Sequence, residues 1–117
     1  MHNTMTDERE RILRENLAEY HGLAEEALKE RKYNAAVTHF FKAICAAADL
    51  FLFRREGIVP SSHTQRFRIL QEKYPELYGI LDKDFPFYQD SYTKKMGREA
   101  AEVFREDAQR IEEMGEG

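Results

Sequence analysis

NAAVTHFFKAICAAADLFLFRREG, residues 34–57, decides how this chain folds. Its apolar side chains run almost all the way round a helix from about 34 to 55, and Gly57 is the stop. A helix apolar on nearly every side is buried on most of them, in the centre of a bundle or at an oligomer interface. Its alanines let neighbouring backbones come close. A thin polar seam remains at Asn34, Thr38, Lys42 and Asp49. Cys45 is the one cysteine of the chain, so no internal disulfide forms, and its apolar surroundings predict a buried, inert thiol.

Outward from that core, each flank reads as helix. Towards the N-terminus, Thr6 is the expected cap, with Asp7 and Glu8 in the first turn. Ile12, Leu13, Leu17, Tyr20, Leu23, Ala24, Ala27 and Leu28 then share one face. This first helix should end near Glu30, where RKYN turns. Towards the C-terminus, GIVPSSH is a loop, and Ser61 or Ser62 caps a third helix carrying Phe67, Ile69, Leu70 and Tyr74. Pro75 ends or bends it. Leu77, Tyr78, Ile80 and Leu81 predict a short helical piece. Asp84 is the expected cap of a fourth helix that tolerates Pro86 in its first turn. After Gly97 a last helix runs from about 98 to 114, with Ala100, Ala101, Val103, Phe104, Ala108 and Ile111 inward.

The expectation is one all-α domain over residues 1–117, ordered from about 6 to 113 with a frayed acidic end. Short connections make it an up-and-down bundle of four to five helices. Six glycines and three prolines in 117 residues argue against a many-turned β fold. The N-terminus lacks an apolar signal-peptide core, and AICAAADLFLF is interrupted by Asp49 and short for a membrane span. The expected location is the cytoplasm, with no membrane contact.

Charge narrows the function. The net charge of -4 is unsuited to general nucleic-acid binding. Residues 54–73, however, hold five cations against two carboxylates, between acidic ends. That patch is either a solvated face or a receiver for an anionic partner. His2, His21, His39 and His63 fall in no HExxH, no CxxC exists, and no metal site or cofactor is expected. No glycine-rich phosphate loop and no GxSxG occurs. His39 and His63 read as structural histidines, His39 as a satisfied one. In FPFYQDSYTKK, residues 85–95, Phe85, Tyr88, Tyr92 and Met96 form one stripe at helical spacing, expected in the core. Asp90 and Lys94 form an i,i+4 pair. Tyr78, Tyr88 and Tyr92 offer hydroxyls to a polar partner at a groove.

Taken in order, the amphipathic first helix, KYNAAVTHFFKAICAAADLFLFRREG, PSSH, the short Leu-rich piece, YQDSYTKK and EAAEVFREDAQRI resemble the HEPN domain (higher eukaryotes and prokaryotes nucleotide-binding). The likeness is to its small stand-alone prokaryotic members, which often accompany minimal nucleotidyltransferases, and it covers roughly residues 10–113. It implies a four-to-five-helix bundle, usually a homodimer, with the second and fourth helices near the dimer groove. Many members are metal-independent ribonucleases that place an Arg, four to six residues and a His on a long helix. The Arg serves the scissile phosphate and the His moves the 2′-hydroxyl proton. Here Phe87 stands about where the Arg would be and Tyr92 about where the His would be. No Arg or His occurs in residues 85–97, and Arg55 with His63 does not substitute. A tyrosine with an ordinary pKa near 10 is a poor base at neutral pH.

The resemblance therefore implies a non-catalytic homodimeric binding or regulatory module. It would act with a nucleotidyltransferase-type partner or take a nucleotide or RNA in its groove. Tyr88, Asp90, Tyr92, Lys94 and Lys95 are the expected groove residues, with His63 and Arg66 as outsiders. The alternatives are a toxin-like ribonuclease of altered residues and a purely structural helical adaptor.

Overall fold

A computed structural model describes residues 4–116, and the side chains of residues 8–115. Five helices follow one another: α1 (Thr4–Lys29), α2 (Tyr33–Glu56), α3 (His63–Lys73), α4 (Pro75–Asp90) and α5 (Arg98–Glu116). They form an all-α bundle of 47 × 28 × 23 Å with α2 at its centre, packed against α1, α4 and α5. Phe40, Phe41, Ile44 and Leu52 of α2 meet Leu77 and Leu81 of α4 and Phe104 and Ile111 of α5, all fully buried. Ala24, Ala36, Ala43, Ala48, Ala101 and Ala108 lie among them without exposed surface. By length and composition α2 is apolar enough to cross a membrane. Burial inside the bundle accounts for that apolarity, so it no longer needs an oligomer interface.

The helix ends follow from local chemistry. α1 closes with Lys32 N–H donating to Ala27 O (2.8 Å) and Arg31 N–H donating to Leu28 O (3.1 Å). This is a Schellman close, in which the left-handed residue is usually glycine; here it is Arg31, at φ 62°. Gly57 closes α2 at φ 74° with its N–H on Phe53 O. Of the two candidate serines, Ser62 caps α3: its Oγ accepts from Gln65 N–H at 3.1 Å. Gln65 Oε1 reaches back to accept from Ser61 N–H at 2.6 Å, a variant of the capping box. The expected Thr6 cap has no described side chain, and α1 already begins at Thr4. His2 lies outside the described residues.

Several expectations are corrected. The Leu-rich piece and the fourth helix are one helix, α4, which starts with Pro75 in its first turn. Asp84 does not cap; it is buried inside α4 at 1% exposure. Pro86 stands in the helix interior instead of its first turn. The helix ends at Asp90, so residues 91–97 are turn and loop. The stripe therefore breaks: Phe85 and Tyr88 pack on the core, but Tyr92 is 71% exposed. Ile12, Leu23 and Val103, expected inward, face outward. His39 Nδ1 is buried with no hydrogen-bond partner among the described residues, so this histidine is not the satisfied one expected.

Candidate functional site

The polar seam of α2 organises the chemistry. Asn34 and Thr38, one turn apart, hold the chain after α4. Asn34 Nδ2 donates to Ser91 O (2.8 Å) and Lys94 O (2.7 Å), and its Oδ1 accepts from Met96 N–H (2.9 Å). Thr38 Oγ1 lies 3.4 Å from Ser91 Oγ. Further along, Lys42 and Asp49 turn to a cleft of about 280 Å³ walled by α1, α2, α3 and Tyr88 of α4.

Asp49 and Arg66 are the buried polar pair of that cleft. Arg66 Nε donates to Asp49 Oδ1 at 2.7 Å and Nη2 to Oδ2 at 2.8 Å, a bidentate fork. Burial is the strongest single influence and works against the Arg66 charge, but the Asp49 hydrogen bond and the neighbouring acidic groups together outweigh it and hold the guanidinium above its ordinary pKa. Arg66 Nη1 then contacts His63 Nδ1 at 2.9 Å. Arginine only donates, so Nδ1 must accept, which fixes the neutral tautomer with its proton on Nε2. Burial, and next the Arg66 charge, lower the His63 pKa, which agrees with the neutral ring. His63 therefore offers a donor and has no free lone pair to act as a base.

The other walls agree. Burial above all, and then the hydrogen bond with Tyr92, push the Tyr88 hydroxyl up to about 12; the two hydroxyls are 2.8 Å apart. The Tyr88 ring is held from below by Phe41, with centroids 4.5 Å apart and planes at 19°. Burial drives Cys45 in the floor up to about 12, so no thiolate nucleophile forms. Lys42 Nζ stands 5.8 Å from the Tyr20 ring and is exposed. Lys42, Arg66 and Asp49 together leave the lining one positive charge, in a chain of net charge -4. Such a cleft presents donors backed by aromatic faces, which suits an oxyanion.

Of the seven expected groove residues, His63, Arg66 and Tyr88 meet here, and Tyr92 touches the cleft only through Tyr88. Asp90, Lys94 and Lys95 do not belong to it. Asp90 and Lys94 form an exposed pair at 3.5 Å, and Lys95 lines a different groove near the α1–α2 turn. Lys42, Asp49, Asn16 and Tyr20 were missed as site residues. The α2 seam was the signal for the first two; Asn16 and Tyr20 gave none, because only the α1–α2 packing brings them in. Among the described residues no cluster of three or more His, Cys, Asp or Glu could hold a metal ion. No protein-family model, no curated protein and no solved structure matches this chain.

Proposed function

We propose that this chain is a non-catalytic, HEPN-like binding module that receives a phosphate of a nucleotide or RNA in the cleft between Lys42 and Arg66. The reading continues with a cytoplasmic homodimer that works beside a nucleotidyltransferase-type partner. One observation carries the binding role. Arg66 occupies the His63 Nδ1 lone pair, so cation and imidazole both face a ligand as donors. The order of sequence features supports the family. The exposed Phe87 and Val103 on α4 and α5 support the dimer, in place of α2. Calorimetric titration with AMP tests the cleft. Saturable binding weakened at least tenfold in Lys42→Ala is expected; no heat, or binding indifferent to Lys42→Ala, sinks the reading.

A second reading, a metal-independent ribonuclease, is favoured by the same contact, since an Arg and a His meet in one polar cleft. It requires His63 to turn and free a lone pair. Incubation with RNA in the absence of metal decides it: cleavage abolished by His63→Ala would replace the first reading with this one.

A further inference from the structure

Six of the sixteen cations outside the cleft sit in two short segments far apart in sequence. Residues 29–33 read KERKY and residues 94–98 read KKMGR, six cations and one carboxylate in all. Asn34 clips the second segment to the start of α2 through its bonds to Lys94 O and Met96 N–H. Arg31, Lys32 and Lys95 then line one groove of about 370 Å³, and none of its lining residues is acidic.

The groove keeps its charge. Lys32 lies 3.7 Å from Glu30 and Lys94 3.5 Å from Asp90, all four exposed, where such pairs bind weakly. Arg31 and Lys95 have no ion-pair partner among the described residues. Arg98 lies beside the groove, its guanidinium 5.8 Å from the Tyr33 ring and 4.0 Å from the exposed Glu102. Arg31 is the informative one. Its left-handed backbone, φ 62°, is the place where a helix close otherwise takes glycine. The turn alone has no use for the arginine side chain; the groove does.

The corner and the cleft share a face of α2. Asn34, Thr38 and Lys42 are spaced four and four, so they lie one above another. Eight residues of helix separate Asn34 from Lys42, about 12 Å, which is beyond the reach of a single phosphate group.

We propose that the basic corner of Arg31, Lys32 and Lys95 is a second phosphate-binding surface, so that the ligand is single-stranded RNA spanning corner and cleft. This rests on the cleft being a phosphate site, as put forward above. Basic grooves beside aromatic rings track the backbone of single strands in this way.

The experiment measures anisotropy of labelled hexauridylate across a salt series, with calorimetric titration of AMP beside it. The variants are Arg31→Gly with Lys95→Ala, and separately Lys42→Ala. Glycine suits the left-handed Arg31 backbone, so a Tm no lower than that of wild type confirms that the fold is intact. The double variant is expected to bind hexauridylate at least tenfold more weakly at low salt. Its salt slope should fall by about 1.4, two contacts at about 0.7 each, with AMP binding unchanged. Unchanged affinity and slope for hexauridylate, while Lys42→Ala weakens it, overturns the corner and leaves the cleft standing. Equal weakening of AMP and hexauridylate by the double variant also overturns it, because corner and cleft would then be one site. If wild type binds neither probe, the cleft reading falls together with the corner.

Discussion

Asp49 sits within an otherwise apolar helix because Arg66 reaches it from α3 with both prongs of its guanidinium. Removing one partner leaves a buried charge alone, which costs about 3–5 kcal/mol, whereas replacing both by apolar groups costs far less. Arg66→Met is therefore expected to lose stability on that scale in chemical denaturation. Asp49→Leu combined with Arg66→Met should recover most of it; additive losses would show that the pair is not the reason. Asp84 makes a pH prediction. Burial, and then the neighbouring Asp107 carboxylate, push it from 3.8 up to about 8, with Lys83 opposing. The unfolded chain ionises at the lower value while the folded one still holds its proton. Stability therefore falls as pH rises between 3.8 and about 8. Asp84→Asn should remove that decline, so that its Tm gains on wild type as pH is raised through the window; parallel curves would refute the assignment. At this scale the sequence was least legible. Asp84 followed by Phe85 and Pro86 has the composition of a helix start, and only burial against α5 shows that it is an interior residue.

Whole elements were easier to read where one force dominated. α2 and α5 follow from their apolar patterns, because burial of a helical face needs no information from elsewhere in the chain. The C-terminal end of α4 escapes a local reading: periodicity and cap composition are local, while the end of a helix is settled by what holds the next segment. Here that is Asn34, 57 residues upstream of Ser91, which captures the carbonyls of Ser91 and Lys94 and the N–H of Met96. Nothing near FPFYQDSYTKK announces it, and by period alone Tyr92 continues the helix. Asn34→Ala removes three hydrogen bonds at once. A loss of about 1–3 kcal/mol is expected, since neighbouring water can resatisfy the exposed groups in part. Amide exchange of Met96 should accelerate in the same variant; unaltered exchange there would mean that the loop is held by something else. Pro86 works in the other direction. It removes an N–H from the interior of α4, an exposed site where proline costs up to about 3 kcal/mol. Pro86→Ala is expected to raise Tm, and a fall would show that the ring is needed where it stands.

At the scale of the whole molecule, charge and apolar surface are distributed in opposite senses. The chain is acidic overall, yet eight of its eighteen cations lie in the cleft or in the two segments of the α1–α2 corner, a grouping hidden along the sequence because residues 29–33 and 94–98 join only in the fold. The apolar surface left over lies elsewhere. Phe87 and Val103, 49% and 39% exposed, flank a groove of about 320 Å³ between α4 and α5, with Ala100 and Phe104 in its walls. A stable interface takes about 800 Å² per partner, roughly a tenth of the 7206 Å² that one chain exposes. The α4–α5 face can supply the apolar centre of such an area, which α2, consumed inside the bundle, cannot. A two-fold dimer through this face would set Phe87 of each copy against the other's groove, since a two-fold interface pairs the same patch with itself. Sedimentation equilibrium at micromolar concentration is expected to give twice the 13.8 kDa chain mass for wild type and the single mass for Phe87→Glu. Because Phe87 lies outside the core, that variant should keep its helical circular dichroism. A wild-type monomer refutes the dimer, and a Phe87→Glu dimer of unchanged strength removes this face from the assembly and turns the test to other exposed apolar residues, Ile12 and Leu23 on α1 and Ile58 after α2.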